Sequence, residues 1–137
     1  MNNVNFNSEA FMQTNEYQEF IARNNSQGYL NIRAYAANSA IPISGLRVVV
    51  SKIINNQRVI FFDGSTNNSG IISSISLPTP KIETNNTIIP EHEDYDITAT
   101  YNNEDLLFKI TMFSNIQVLQ NINVIPSVRL DGSFYGS

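Results

Sequence analysis

From Gly28 to Ile125, apolar and polar side chains alternate with period two, and Asn, Gly or Pro breaks the alternation about every ten residues. In residues 28–35, Leu30, Ile32 and Ala34 share one side, while Asn31 and Arg33 lie on the other beside Tyr29 and Tyr35. Residues 46–54 are a β-branched run with Leu46, Val48 and Val50 inward. Asn55-Asn56 suits a two-residue hairpin turn into residues 58–62, because Asn tolerates the left-handed backbone such a turn requires. Strands at 71–77, 95–101, 106–113 and 116–125 follow, with inward stripes Ile97/Ala99, Phe108/Ile110/Met112 and Val118/Ile122/Val124. Between 78 and about 93 runs a long loop holding Pro78, Pro80 and Pro90. Each strand has one apolar face to bury, and two facing sheets bury all of them. The expected fold is all-β: a seven-stranded antiparallel β-sandwich. A parallel sheet is disfavoured because no crossover helices separate the strands.

Ahead of the first strand the period changes. Tyr17, Phe20 and Ile21 stand at i, i+3 and i+4, one face of a short helix with Asn15 and Gln18 as its capping pair and Asn24-Asn25 at its end. About two turns are marginal alone, so this helix must dock on something. The 137 residues therefore divide into an N-terminal arm with a short helix at 1–26, one sandwich at 27–126 and a Gly-rich polar tail at 127–137.

Composition narrows the chemistry. With no Cys there is no disulfide scaffold, thiolate nucleophile or iron–sulfur cluster, and one His with no Trp leaves few catalytic parts. Eight Lys+Arg against twelve Asp+Glu give a net charge of −4, which argues against nucleic acid as a partner. No Lys or Arg precedes Arg23, so the start lacks the positive region of a secretory signal, and no run approaches a membrane span. A cytoplasmic location without membrane insertion is expected.

Two turn sequences carry a resemblance. Pro42-Ile43-Ser44-Gly45-Leu46-Arg47-Val48 leads into one strand, and Thr66-Asn67-Asn68-Ser69-Gly70 precedes another. With Pro42, Gly45, Thr66 and Gly70 as its turn motif, the chain resembles the carboxypeptidase regulatory-like domain, which implies a transthyretin-like sandwich of seven strands. Leu46 stands where that family has a small residue. A narrower likeness runs from about residue 16 to 126, through Tyr17, Gly28, Pro42, Thr66, Leu77, Tyr95 and the 116–126 segment. In that order of motifs the chain is similar to the non-catalytic N-terminal modules of clostridial spore cortex-lytic enzymes and related peptidoglycan-binding proteins. The likeness implies an accessory module at the spore or cell envelope, one that could be deposited on the spore, and it carries over no catalytic residue.

The acidic run Glu91-His92-Glu93-Asp94, with Asp96 beyond it, is the best candidate for a metal, since hard carboxylates suit Ca²⁺ and His92 offers a nitrogen. It lacks the ligand spacing and central Gly of a calcium loop, and one His is too few for a zinc peptidase. A solvated acidic loop without metal or cofactor is the plainer expectation. No Ser sits in a nucleophile elbow, and no Gly-rich phosphate cradle occurs. Tyr29, Tyr35, Tyr95 and Tyr101 could form a glycan-stacking rim, because aromatic faces pack on the C–H faces of sugar rings. These readings lead to the expectation that the chain is not an enzyme. It is expected to be a structural or protein-interaction module whose partner is an envelope or spore-coat protein, or itself, with a peptidoglycan- or glycan-binding module as the alternative.

Overall fold

The computed structural model describes residues 8–36, 40–83 and 89–124. The expected tail at 127–137, the first residues of the arm and the middle of the 78–93 loop lie outside them. Two helices, α1 (Ser8–Phe11) and α2 (Asn15–Arg23), precede eight strands: β1 (Ser26–Ala36), β2 (Ile41–Pro42), β3 (Arg47–Ile54), β4 (Gln57–Ser65), β5 (Ile71–Thr79), β6 (Glu93–Tyr101), β7 (Glu104–Met112) and β8 (Gln117–Asn123). They form two four-stranded sheets, one centred on β1 and one in the order β4-β3-β6-β7.

Among the described residues, eight strands stand where seven were expected. The extra one is β2, two residues that the sequence reading placed in a turn; it pairs with Tyr35 and Ala36, directly after β5 has paired with the earlier part of β1. The two strands thus take turns along one edge of β1. Along the other edge runs β8, and here the pairing is parallel, with Tyr29 opposite Gln117 and Tyr35 opposite Asn123. A hairpin would have made it antiparallel, but the chain arrives at β8 from the other sheet.

Local chemistry explains the turns. Asn55 and Asn56 have φ of 51° and 66°, and Asn102 and Asn103 have 51° and 65°, the paired left-handed backbone that matches the twist of a two-residue hairpin. Between Val50 and Ser51 the register against β4 slips, opposing Val50 to Phe62 and Ser51 to Ile60. That bulge aims both Phe61 and Phe62 at the core side.

The core lies between the sheets. Leu30, Ile32 and Ala34 face Val48, Val50, Ile97 and Ala99, all fully buried. Leu46 is buried there too, so the larger residue is accommodated inside. Helix α2 closes one end with Phe20, whose ring lies 6.2 Å from Tyr17 and 5.9 Å from Phe61, and Phe61 meets Tyr95 edge-on at 5.3 Å. The N-cap of α2 is Thr14 rather than Asn15: its Oγ1 accepts from the Tyr17 N–H at 3.3 Å and donates to the Phe11 carbonyl at 2.6 Å. No helix among the described residues is long and apolar enough to cross a membrane.

Candidate functional site

The acidic segment is spread across both faces of the second sheet, because successive residues of a strand point opposite ways. Glu93 turns inward and pairs with Lys52 Nζ at 2.9 Å, and Lys52 also donates to the Asp94 carbonyl at 2.7 Å. Asp94 turns outward and accepts from Thr111 Oγ1 at 2.8 Å. Asp96 is shared by Lys109 at 2.9 Å and Arg58 at 3.2 Å. The Lys109 hydrogen bond, with help from Arg58, holds the Asp96 carboxyl below its ordinary range against the opposing effect of partial burial. His92 keeps Nδ1 2.9 Å from the Pro90 carbonyl, and its ring lies 5.8 Å from Phe113. Glu91, His92, Glu93 and Asp94 therefore do not converge, and no group of three or more His, Asp or Glu among the described residues is placed to hold a metal ion.

The four tyrosines separate into two pairs. Tyr95 and Tyr101 share the inward parity of Ile97 and Ala99. Tyr95 is 1% exposed and its hydroxyl donates to the Pro78 carbonyl; burial pushes the phenol pKa up. Tyr101 is half-buried against the core. A rim of all four is therefore corrected, and the signal was already present in the alternation that puts Ile97 and Ala99 inside.

Tyr29 and Tyr35 are different. With Asn31 and Arg33 they lie on the outer face of β1, and the parallel register sets Gln117, Leu119, Asn121 and Asn123 beside them on β8. Asn31 Nδ2 donates to Gln117 Oε1 at 3.1 Å, and Asn31 Oδ1 accepts from the Ser74 N–H at 2.9 Å, so this amide is held from both sides. The Arg33 guanidinium sits 4.9 Å from the centre of the Tyr35 ring. Six residues of strand separate the two tyrosines by about 20 Å. The result is a strip with a phenol at each end, amides and one guanidinium between them, and Leu119 exposed at 55%. The β1 half of this strip was legible in the sequence. The β8 half was not, because nothing local announces a parallel neighbour 86 residues away.

The turn motif comes together as a latch between the sheets. Thr66 Oγ1 donates to the Ile43 carbonyl at 2.6 Å and accepts from the Leu46 N–H at 3.0 Å. The Gly45 N–H donates to the Thr66 carbonyl at 2.9 Å, and Asn67 Oδ1 accepts from the N–H groups of Ser69 and Ile71. Gly45 and Gly70 both have positive φ. Pro42 is set in β2, and its Cβ borders Gly70. All four motif residues serve the backbone here.

No family model matches this sequence, and no curated protein does. Solved structures of similar shape do exist. The 5-hydroxyisourate hydrolase of Klebsiella pneumoniae aligns at 12% identity with a TM-score of 0.49, covering 73% of this chain and 91% of that one. An (S)-allantoin synthase aligns at 11% identity with a TM-score of 0.49, covering 88% of this chain; this chain spans 58% of its length. The two four-stranded sheets around one core make the fold a β-sandwich. Both neighbours are named as enzymes, so the expectation from sequence that the chain is not one finds no support in them. The likeness concerns the fold and transfers neither protein's reaction nor its residues.

Proposed function

We propose that the protein is an interaction module of the bacterial cell or spore envelope, and that the outer face of the β1–β8 pair binds a polysaccharide of the peptidoglycan kind. One observation carries the reading: Tyr29, Asn31, Arg33 and Tyr35 lie on a single face beside Gln117, Asn121 and Asn123. Phenol rings offer stacking surfaces to sugar rings, and the amides offer both donors and acceptors to hydroxyls without the desolvation cost of many charges. Support for the envelope setting comes from the ordered motifs between Tyr17 and Pro126, which are similar to modules of spore cortex-lytic and peptidoglycan-binding proteins. Co-sedimentation with purified sacculi tests the proposal. The wild type is expected to pellet with them, and Tyr29→Ala and Tyr35→Ala to stay in solution with unchanged thermal midpoints. Wild-type protein left wholly in the supernatant overturns it.

A second reading, a protein-interaction or self-assembling module, is favoured by the free edge of β8. Among the described residues that edge has no neighbouring strand, and Ile116 and Leu119 are exposed on and beside it at 48% and 55%. Light scattering across a concentration series reads self-assembly directly.

A further inference from the structure

Charge is divided unevenly between the two sheets. Among the described strands, every Asp and Glu belongs to the second sheet, where Arg47, Lys52, Arg58 and Lys109 all pair with acids of that sheet. The strands of the first sheet hold no acid, and Arg33 is their one Lys or Arg. In a chain of net charge −4, an acidic ligand is repelled by the surface at large and drawn to this cation. Arg33 is exposed on the outer face of β1, so a ligand reaches it directly.

The neighbours of Arg33 define what it can hold. Its guanidinium sits 4.9 Å from the centre of the Tyr35 ring, and a guanidinium steadied on a ring keeps its N–H fork for a planar acceptor. A carboxylate matches that fork with two parallel hydrogen bonds. A phosphodiester chain, with a charge on every unit, calls for several cations, and this sheet has one. Asn121 stands opposite Arg33 on β8 and is exposed, so its amide N–H can donate to the same carboxylate. Ile71 stands opposite Arg33 on the β5 side, partly buried, an apolar neighbour for a methyl group.

The geometry points to Arg33 as the residue that selects an acidic glycan over a neutral one, its guanidinium donating two N–H bonds to a sugar carboxylate. The carboxylate with a methyl beside it that suits this position is the lactyl group of the muramic acid units of a peptidoglycan strand. This rests on the reading of the β1–β8 face as a glycan site and adds the class of sugar it prefers.

Calorimetric titration of the full chain tests it with three ligands: glycan strands freed of peptide by an amidase, the same strands with their lactyl carboxyls converted to methylamides, and polyglycerol phosphate. Wild type is expected to bind the free-acid strands about tenfold more tightly than the methylamides. Arg33→Gln should bind the two alike, with its thermal midpoint retained because the residue is exposed. Polyglycerol phosphate should bind more weakly than the free-acid strands. Equal wild-type affinity for acid and methylamide, or a preference that survives Arg33→Gln, overturns the proposal and leaves the glycan reading standing. Failure of both strands to bind overturns that reading and the proposal with it. Polyglycerol phosphate bound as tightly as the acid overturns the choice of a carboxylate.

Discussion

Gly70 lies so close to the carbonyl of Ala34 that a Cβ there would fall inside the 3.0 Å that real Cβ contacts keep, and its own carbonyl accepts from the Ala34 N–H at 2.7 Å. The obstacle is backbone, which cannot swing aside, and φ at Gly70 is +76°. Gly45 shares the positive φ, at +77°, yet nothing stands within 4 Å of its missing Cβ. The pair therefore separates two costs. Gly45→Ala carries the left-handed penalty alone, about 1–2 kcal/mol. Gly70→Ala adds steric displacement and should lose about 2–4 kcal/mol. Urea unfolding of the two variants checks the difference; equal losses would show that the edge of β1 yields.

Thr66 joins the two turns with a single hydroxyl that donates to Ile43 and accepts from Leu46, at 5% exposure. Thr66→Val keeps the shape and orphans a buried carbonyl and a buried N–H, so it should cost about 2–4 kcal/mol. Thr66→Ser keeps both bonds and gives up one methyl, about 0.8 kcal/mol. Thermal unfolding should rank wild type, Ser, then Val.

How much of this was legible depended on the range of the cause. The alternation placed Leu30, Ile32, Val48 and Ile97 inside, and the Asn55-Asn56 and Asn102-Asn103 turns were written in residues that accept positive φ. Thr66 and Gly70 were readable as turn formers, but their tie to Ile43 and Ala34 is a contact between distant segments that no local pattern encodes. The parallel register of β8, which completes the Tyr29–Tyr35 face, is of the same kind. Tyr95 failed for a different reason: its aromatic chemistry suggested a rim, while its parity already put it with Ile97.

Acid should weaken the outer face of the second sheet. The Lys109 hydrogen bond holds Asp96 below its ordinary range, and the Arg47 hydrogen bond does the same for Asp63. A carboxyl whose folded pKa is depressed contributes stability above its unfolded value, near pH 4, and loses it as pH falls through the folded value. Stability should therefore decline below about pH 4. The double variant Asp63→Asn/Asp96→Asn should show a shallower decline, while its loss at neutral pH stays within about 1 kcal/mol per site because both pairs face solvent. Denaturant midpoints between pH 2 and 7 measure it, and added salt should shrink the neutral-pH difference.

Tyr95 gives the opposite limb. Burial first, then the nearby Glu93 charge, raises its phenol pKa, and its hydroxyl donates to the Pro78 carbonyl. An unfolded tyrosine ionises near pH 10, whereas the folded one stays neutral, so above pH 10 the unfolded state sheds a proton that the native state keeps. Stability present below that pH is lost as pH rises toward the folded value. Tyr17, raised by burial as well, adds to the same slope. Tyr95→Phe deletes the Pro78 bond and should cost about 1–3 kcal/mol at pH 7, while flattening the alkaline decline without abolishing it, because Tyr17 remains. Its binding to sacculi should match wild type, since the ring is 1% exposed and lies inside the sandwich rather than on the β1–β8 face. Loss of sacculus binding in Tyr95→Phe at an unchanged thermal midpoint would place the glycan contact on the second sheet instead.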